Sequence, residues 1–228
     1  GLNRRMLLKG GAAAAAAFSF SAPFEALAKG VRRQPVSPDY GELVDAIDET
    51  TGLPLIRLPK GFRYLSFSWT GDTMTNGKPV PGAHDGAAAI PVGWGRVVYI
   101  RNHELSYSAG ATYESSFADP ALTYDASQAP GGTTNVEFDY ECGRYVRTWP
   151  TFSGTIRNCA GGSTPWGSWL TCEEDLTNQS DVNQKNHGYV FEIPAFKRAK
   201  PEPLVGLGRF NHEACATDPL TGIVYETE

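Results

Sequence analysis

From residue 53 onward the apolar positions never settle into a helical period. Short runs rich in Val, Ile, Tyr, Phe, Thr and Trp alternate with turns rich in Gly, Pro, Asn and Asp, the pattern of short antiparallel strands. Strands are expected at residues 63–69, 96–102, 134–140, 144–152, 168–171, 189–193 and 223–227. Between two of them, Glu141-Cys142-Gly143 has the make-up of a three-residue hairpin turn. Residues 29–52 are polar and contain prolines, and an amphipathic piece at 43–47 reads as a short helix leading out of a linker. The fold class is therefore all-β, built as a meander.

One stretch breaks the ordinary strand pattern. Residues 158–174, NCAGGSTPWGSWLTCEE, run from a Gly-rich turn through a Thr-Pro break into an aromatic strand that ends on paired carboxylates. Adjacent acids are poor strand formers and costly to bury, so such a strand either reaches solvent or delivers oxygen ligands to a cation. Along it Trp169, Thr171 and Glu173 share one face, and Leu170 and Cys172 the other. The same spacing from glycine to glutamate recurs between Gly167 and Glu173 and between Gly222 and Glu228, with a looser copy from Gly95 to Glu104. Repeated short-strand units of this kind predict a β-propeller, in which equivalent strand ends converge on a central channel. Residues 53–228 are expected to be the N-terminal part of that propeller, truncated within a strand at residue 228.

The first 28 residues stand apart. Asn3-Arg4-Arg5-Met6-Leu7-Leu8-Lys9, an Ala-rich apolar run and Ala26-Leu27-Ala28 read as a twin-arginine export signal. The run is too short for a membrane-spanning helix, so no stable membrane span is expected. The export machinery is then one partner, and the location is periplasmic or secreted. The formal charge of −5 becomes more negative without this segment. With no basic runs, the balance argues against a nucleic-acid partner and for cations. The four cysteines, Cys142, Cys159, Cys172 and Cys215, form no CxxC pair. If one disulfide forms in an oxidising compartment, Cys159 with Cys172 is the first pairing to consider.

Five polar knots carry the candidate chemistry: His84-Asp85-Gly86, Asn102-His103-Glu104, Asn158-Cys159, Glu173-Glu174-Asp175 and Asn211-His212-Glu213. Amide and carboxylate oxygens suit a hard cation such as calcium, whereas imidazole and thiolate suit iron or zinc. Asn-His-Glu occurs twice, which strengthens both copies. Arg157 and Arg209 are the residues placed to hold an anion, against the plainer reading of surface salt bridges.

The stretch at 158–174, GRFNHEA at 208–214 and GIVYETE at the end together resemble the PhoX-type alkaline phosphatases and their bacterial relatives, as does the twin-arginine signal. The resemblance implies a β-propeller phosphomonoesterase with calcium and iron in its channel, acting on small phosphate esters. Carried over, Glu173 and Glu213 look like metal ligands, with Glu104 and Glu228 as further candidates; the polar knots themselves add Asp85 and Asn102 as candidate metal ligands. The family's iron-bound cysteine corresponds to Cys159 or to a position near His84. A calcium-dependent propeller lactonase or esterase, and a non-catalytic propeller binding module, are the competing readings.

Overall fold

A computed structural model describes residues 40–106, 117–178 and 185–228. The stretch expected to be an export signal, and most of the expected linker, lie outside the described residues. The chain divides into two compact units, one ending at Ser66 and the other beginning at Phe67.

In the first unit, β1 (Leu43–Ala46) and β2 (Ile56–Pro59) form an antiparallel ladder from Leu43 opposite Pro59 to Ala46 opposite Ile56. The helix expected at 43–47 is thus a strand. The buried Asp48 carboxylate explains the change, because it accepts from Thr51 N and Oγ1 and from Ser66 N and Oγ. An aspartate bonded in this way to nearby backbone turns the chain back and competes with helix.

The second unit is a run of small antiparallel sheets. The first has the order β3 (His84–Gly93), β4 (Arg96–His103), β5 (Gly131–Asp139), β6 (Arg144–Thr155). The next is β7 (Asn158–Ser163), β8 (Ser168–Glu173), β9 (Val190–Pro194), followed by the two-stranded pair β10 (Cys215–Thr217) and β11 (Val224–Glu226). Ile90, Val98, Ile100, Phe152, Trp169, Phe191 and Ile193 make one buried cluster uniting the first two sheets. Leu170, Cys172, Val190 and Cys215 make another between the second sheet and the last pair. The only helical pieces among the described residues are two 3₁₀ turns, and no helix there is long and apolar enough to cross a membrane. The all-β expectation holds, and no closed ring of sheets is present among the described residues.

Three local differences have physical causes. The expected strand at 63–69 contributes only one bridge, Tyr64 to Asp48, and Ser68 then takes φ 56°, a left-handed turn that ends extended backbone. The turn between β5 and β6 spans four residues, 140–143, where Asp139 Oδ1 accepts from Cys142 N and Gly143 supplies φ 62°. The Gly-rich segment at 158–163 is a strand rather than a turn. Its neighbour β3 was not foreseen, because its Ala-rich sequence lacks strand character.

β3 and β7 meet where Gly86 lies on Cys159 and Ala160. A Cβ at Gly86 would come within 2.6 Å of Ala160 Cα and 2.7 Å of the Cys159 carbonyl oxygen. Gly86→Val is therefore expected to wedge the two strands apart and lower stability by about 2–3 kcal/mol, which urea denaturation would measure.

Candidate metal centre

Strand pairing delivers the site. The start of β3 lies beside the end of β4, His84 opposite His103, and Glu104 N donates to Ala83 O at 2.8 Å. In the next sheet the start of β7 lies beside the end of β8, Asn158 opposite Glu173, and Glu174 N donates to Arg157 O at 2.9 Å. Since Gly86 seats β3 on β7, these strand ends are adjacent. Glu104, Cys159 and Glu174, all half-buried, each offer a ligand atom, and the three atoms lie within 4.8 Å of one another.

The charges at this point are crowded. Burial first, and then Asp85, which hydrogen-bonds Glu104, raises the Glu104 pKa above the usual carboxylate range, with Arg157 opposing. Burial also pushes the Cys159 thiol up to about 11, helped by the negative field of Asp85, Glu174, Glu104 and Glu213. Like charges packed this closely favour protonation or a bound cation. The local cation is Arg157, whose Nη2 lies 2.6 Å from Glu174 Oε2 and 3.6 Å from Glu104 Oε1. Its backbone at φ 49° is fixed by a bond from its N to Leu105 O.

A buried polar scaffold holds Cys159 in place. Asn102 Nδ2 donates to the Cys159 and Ala160 carbonyls, while Asn102 Oδ1 accepts from Trp169 Nε1 and Thr171 Oγ1. Asn102 is thus fully occupied as a brace between β4, β7 and β8. Trp169 and Thr171 share the face expected for them, and Leu170 and Cys172 point into the opposite cluster.

The remaining candidates are placed as follows. Glu173 is completely buried next to the cluster, its carboxylate accepting from Ile156 N, His187 Nδ1, Gly188 N and Tyr189 N. His84 is exposed, with Nε2 2.9 Å from Pro81 O and Nδ1 3.4 Å from Arg101. Glu213 is exposed, its carbonyl accepting from Ala160 N at 3.2 Å, and its charge reaches Cys159. Glu228 is exposed and interacts with His212. Arg209 commits Nε to His187 O and Nη2 to Leu176 O and Asn178 Oδ1, bracing a loop. His103 is bonded to Gly82 O and Thr134 Oγ1, and burial pulls its pKa down to about 3. Cys159 and Cys172 do not pair, for Cys159 faces the carboxylates and Cys172 faces Cys215.

The sequence did not single out Glu174 as a ligand, nor the triad Asp125–His187–Glu173. His187 is completely buried, with Nδ1 2.6 Å from Glu173 Oε1 and Nε2 3.3 Å from Asp125 Oδ2. Burial disfavours its charged form, but Glu173 and Asp125 outweigh burial and raise the pKa above the ordinary 6.5. The folded state therefore binds the proton more tightly than the unfolded one. The stabilisation is full below 6.5 and disappears as pH rises through the higher folded value. A Tm profile across this range should fall for the natural protein, and His187→Gln should remove that component.

These features define an all-β protein whose strand ends gather a thiol, several carboxylates and one arginine into a cluster that could hold a metal ion. The chain belongs to a known family, alkaline phosphatase PhoX, whose model matches residues 39–228. No curated protein and no solved structure matches it.

Proposed function

We propose that this protein is an exported, metal-dependent phosphatase that hydrolyses small phosphate monoesters at the Glu104–Cys159–Glu174 cluster. The observation that carries the reading is the convergence of those three donors within 4.8 Å, in a chain of the alkaline phosphatase PhoX family. The donor chemistry fits both cations that the resemblance implies. A thiolate suits iron, and the carboxylates of Glu104, Glu174, Asp85 and Glu213 suit calcium. Cys159 weighs against a calcium-only lactonase, since a hard cation has no use for sulfur.

When bound, the metals would act as Lewis acids on the phosphoryl oxygens and make a water more acidic. The protein's own part is positional and electrostatic. Glu104, Cys159 and Glu174 hold the cations, and the Asn102 brace fixes the Cys159 backbone. Arg157, half-exposed at the rim, donates to the phosphate, a charge-assisted role for which guanidinium is suited. The twin-arginine signal supports a periplasmic or secreted location, and the repeated strand ends support a propeller whose channel houses the site.

The test uses the full-length exported protein and p-nitrophenyl phosphate. Chelation should abolish turnover, and calcium plus iron should restore it where calcium alone does not. Full activity after exhaustive chelation would overturn the reading. Arg157→Ala is expected to raise KM for the ester about tenfold or more, and to weaken competition by inorganic phosphate in parallel.

A further inference from the structure

We infer that Cys172 and Cys215 are joined by a disulfide in the oxidised protein, clamping β10 onto β8 on the face turned away from the Asn102 brace. Leu170 and Cys172 both project from that face of β8. On β7, Gly162 lies directly opposite Leu170 and leaves the surface bare there. The Cys215 backbone fills the gap: a Cβ at Gly162 would stand 2.1 Å from Cys215 O and 3.0 Å from Cys215 Sγ. Cys172 and Cys215 occupy one buried cluster with Leu170 and Val190, and their thiols are within hydrogen-bonding reach of each other.

The other two cysteines do not compete for this partner. Cys142 is exposed in the turn between β5 and β6, and Cys159 faces the carboxylates. The pair β10–β11 has reason to be stapled. Its ladder holds only three residue pairs, and two-stranded ladders are marginal by themselves. A covalent tie at Cys215 would also hold the neighbouring Glu213 carbonyl against Ala160 N, beside the metal centre.

The oxidant is a small or protein disulfide, and the reaction is two exchange steps. The Cys215 thiolate, the less buried of the two, attacks one sulfur of the oxidant and displaces the other as a thiolate. The Cys172 thiolate then attacks the Cys215 sulfur of this mixed disulfide, closing the bond and expelling the second oxidant thiolate. Two protons leave the protein thiols and two are taken up by the oxidant, which gains the two electrons.

The test is peptide mass mapping of the full-length protein after incubation with oxidised glutathione, followed by denaturation in chelator and alkylation without reductant. The expected result is alkylation of Cys142 and Cys159 and a cross-linked peptide pair carrying Cys172 and Cys215. Reductant should lower Tm by roughly 10 °C, and Cys215→Ala should abolish that response while leaving Cys142 and Cys159 alkylated as before. Alkylation of all four cysteines, or a cross-link through Cys159, would overturn the assignment.

Discussion

Cys159→Ser should lower phosphomonoesterase turnover at least about a hundredfold while leaving the fold intact. Loss of outer supports around a metal already costs about 10–100-fold, and this change removes a proposed ligand itself. The replacement is nearly the same size, and a hydroxyl can hydrogen-bond among Asp85, Glu104 and Glu174, so packing is little disturbed. What is lost is the soft donor, because a serine hydroxyl is a poor substitute for thiolate on iron. The effect should therefore appear in kcat with p-nitrophenyl phosphate and leave Tm of the metal-free protein unchanged. Turnover within twofold of the natural protein would remove Cys159 from the site.

Glu173→Ala should fail differently, by destabilising the protein about 3–5 kcal/mol. Its carboxylate takes Ile156 N at 3.0 Å, Gly188 N at 2.8 Å and Tyr189 N at 3.1 Å, besides the His187 ring. Removal leaves three backbone donors unpaired and His187 with half of its counter-charge. Glu173→Gln rescues little, since its amide group presents a donor where the neighbours are donors. Urea denaturation reads the loss of stability. A Glu173→Ala protein as stable as its parent but devoid of metal would instead make Glu173 a ligand.

The contrast between Cys159 and Glu173 marks how far the site is legible in the sequence. Alternation along β8 is enough to place Trp169, Thr171 and Glu173 on one side, and the strand does end on acids as its pattern suggested. The geometry of the candidate ligands turns on the residue after the strand. Glu173, still in register, is drawn into the interior by three backbone donors and His187, whereas Glu174, past the ladder, swings toward Cys159 and Glu104. Periodicity stops at the strand end and has nothing to say about that step.

The same limit explains the missed strands and the missed triad. β3 and β7 are strands because Gly86, Gly161 and Gly162 allow close approach to other segments, a tertiary cause absent from any local run of residues. A Cβ at Gly161 would fall 1.9 Å from Leu170 O. Asp125 and His187 are distant in sequence from each other and sit in no recognisable motif. Asn102 stands beside the candidate ligands in sequence, and an amide side chain, with both donors and an acceptor, can brace backbone as well as bind an ion. Its role became clear only with all four of its partners in place.

The most direct test of the proposed metal centre is iron X-ray absorption on the full-length protein, natural and Cys159→Ser. The account predicts a sulfur neighbour of iron in the natural protein that is missing from the variant. An iron shell of oxygen and nitrogen alone in the natural protein, or a sulfur neighbour that survives Cys159→Ser, would contradict it.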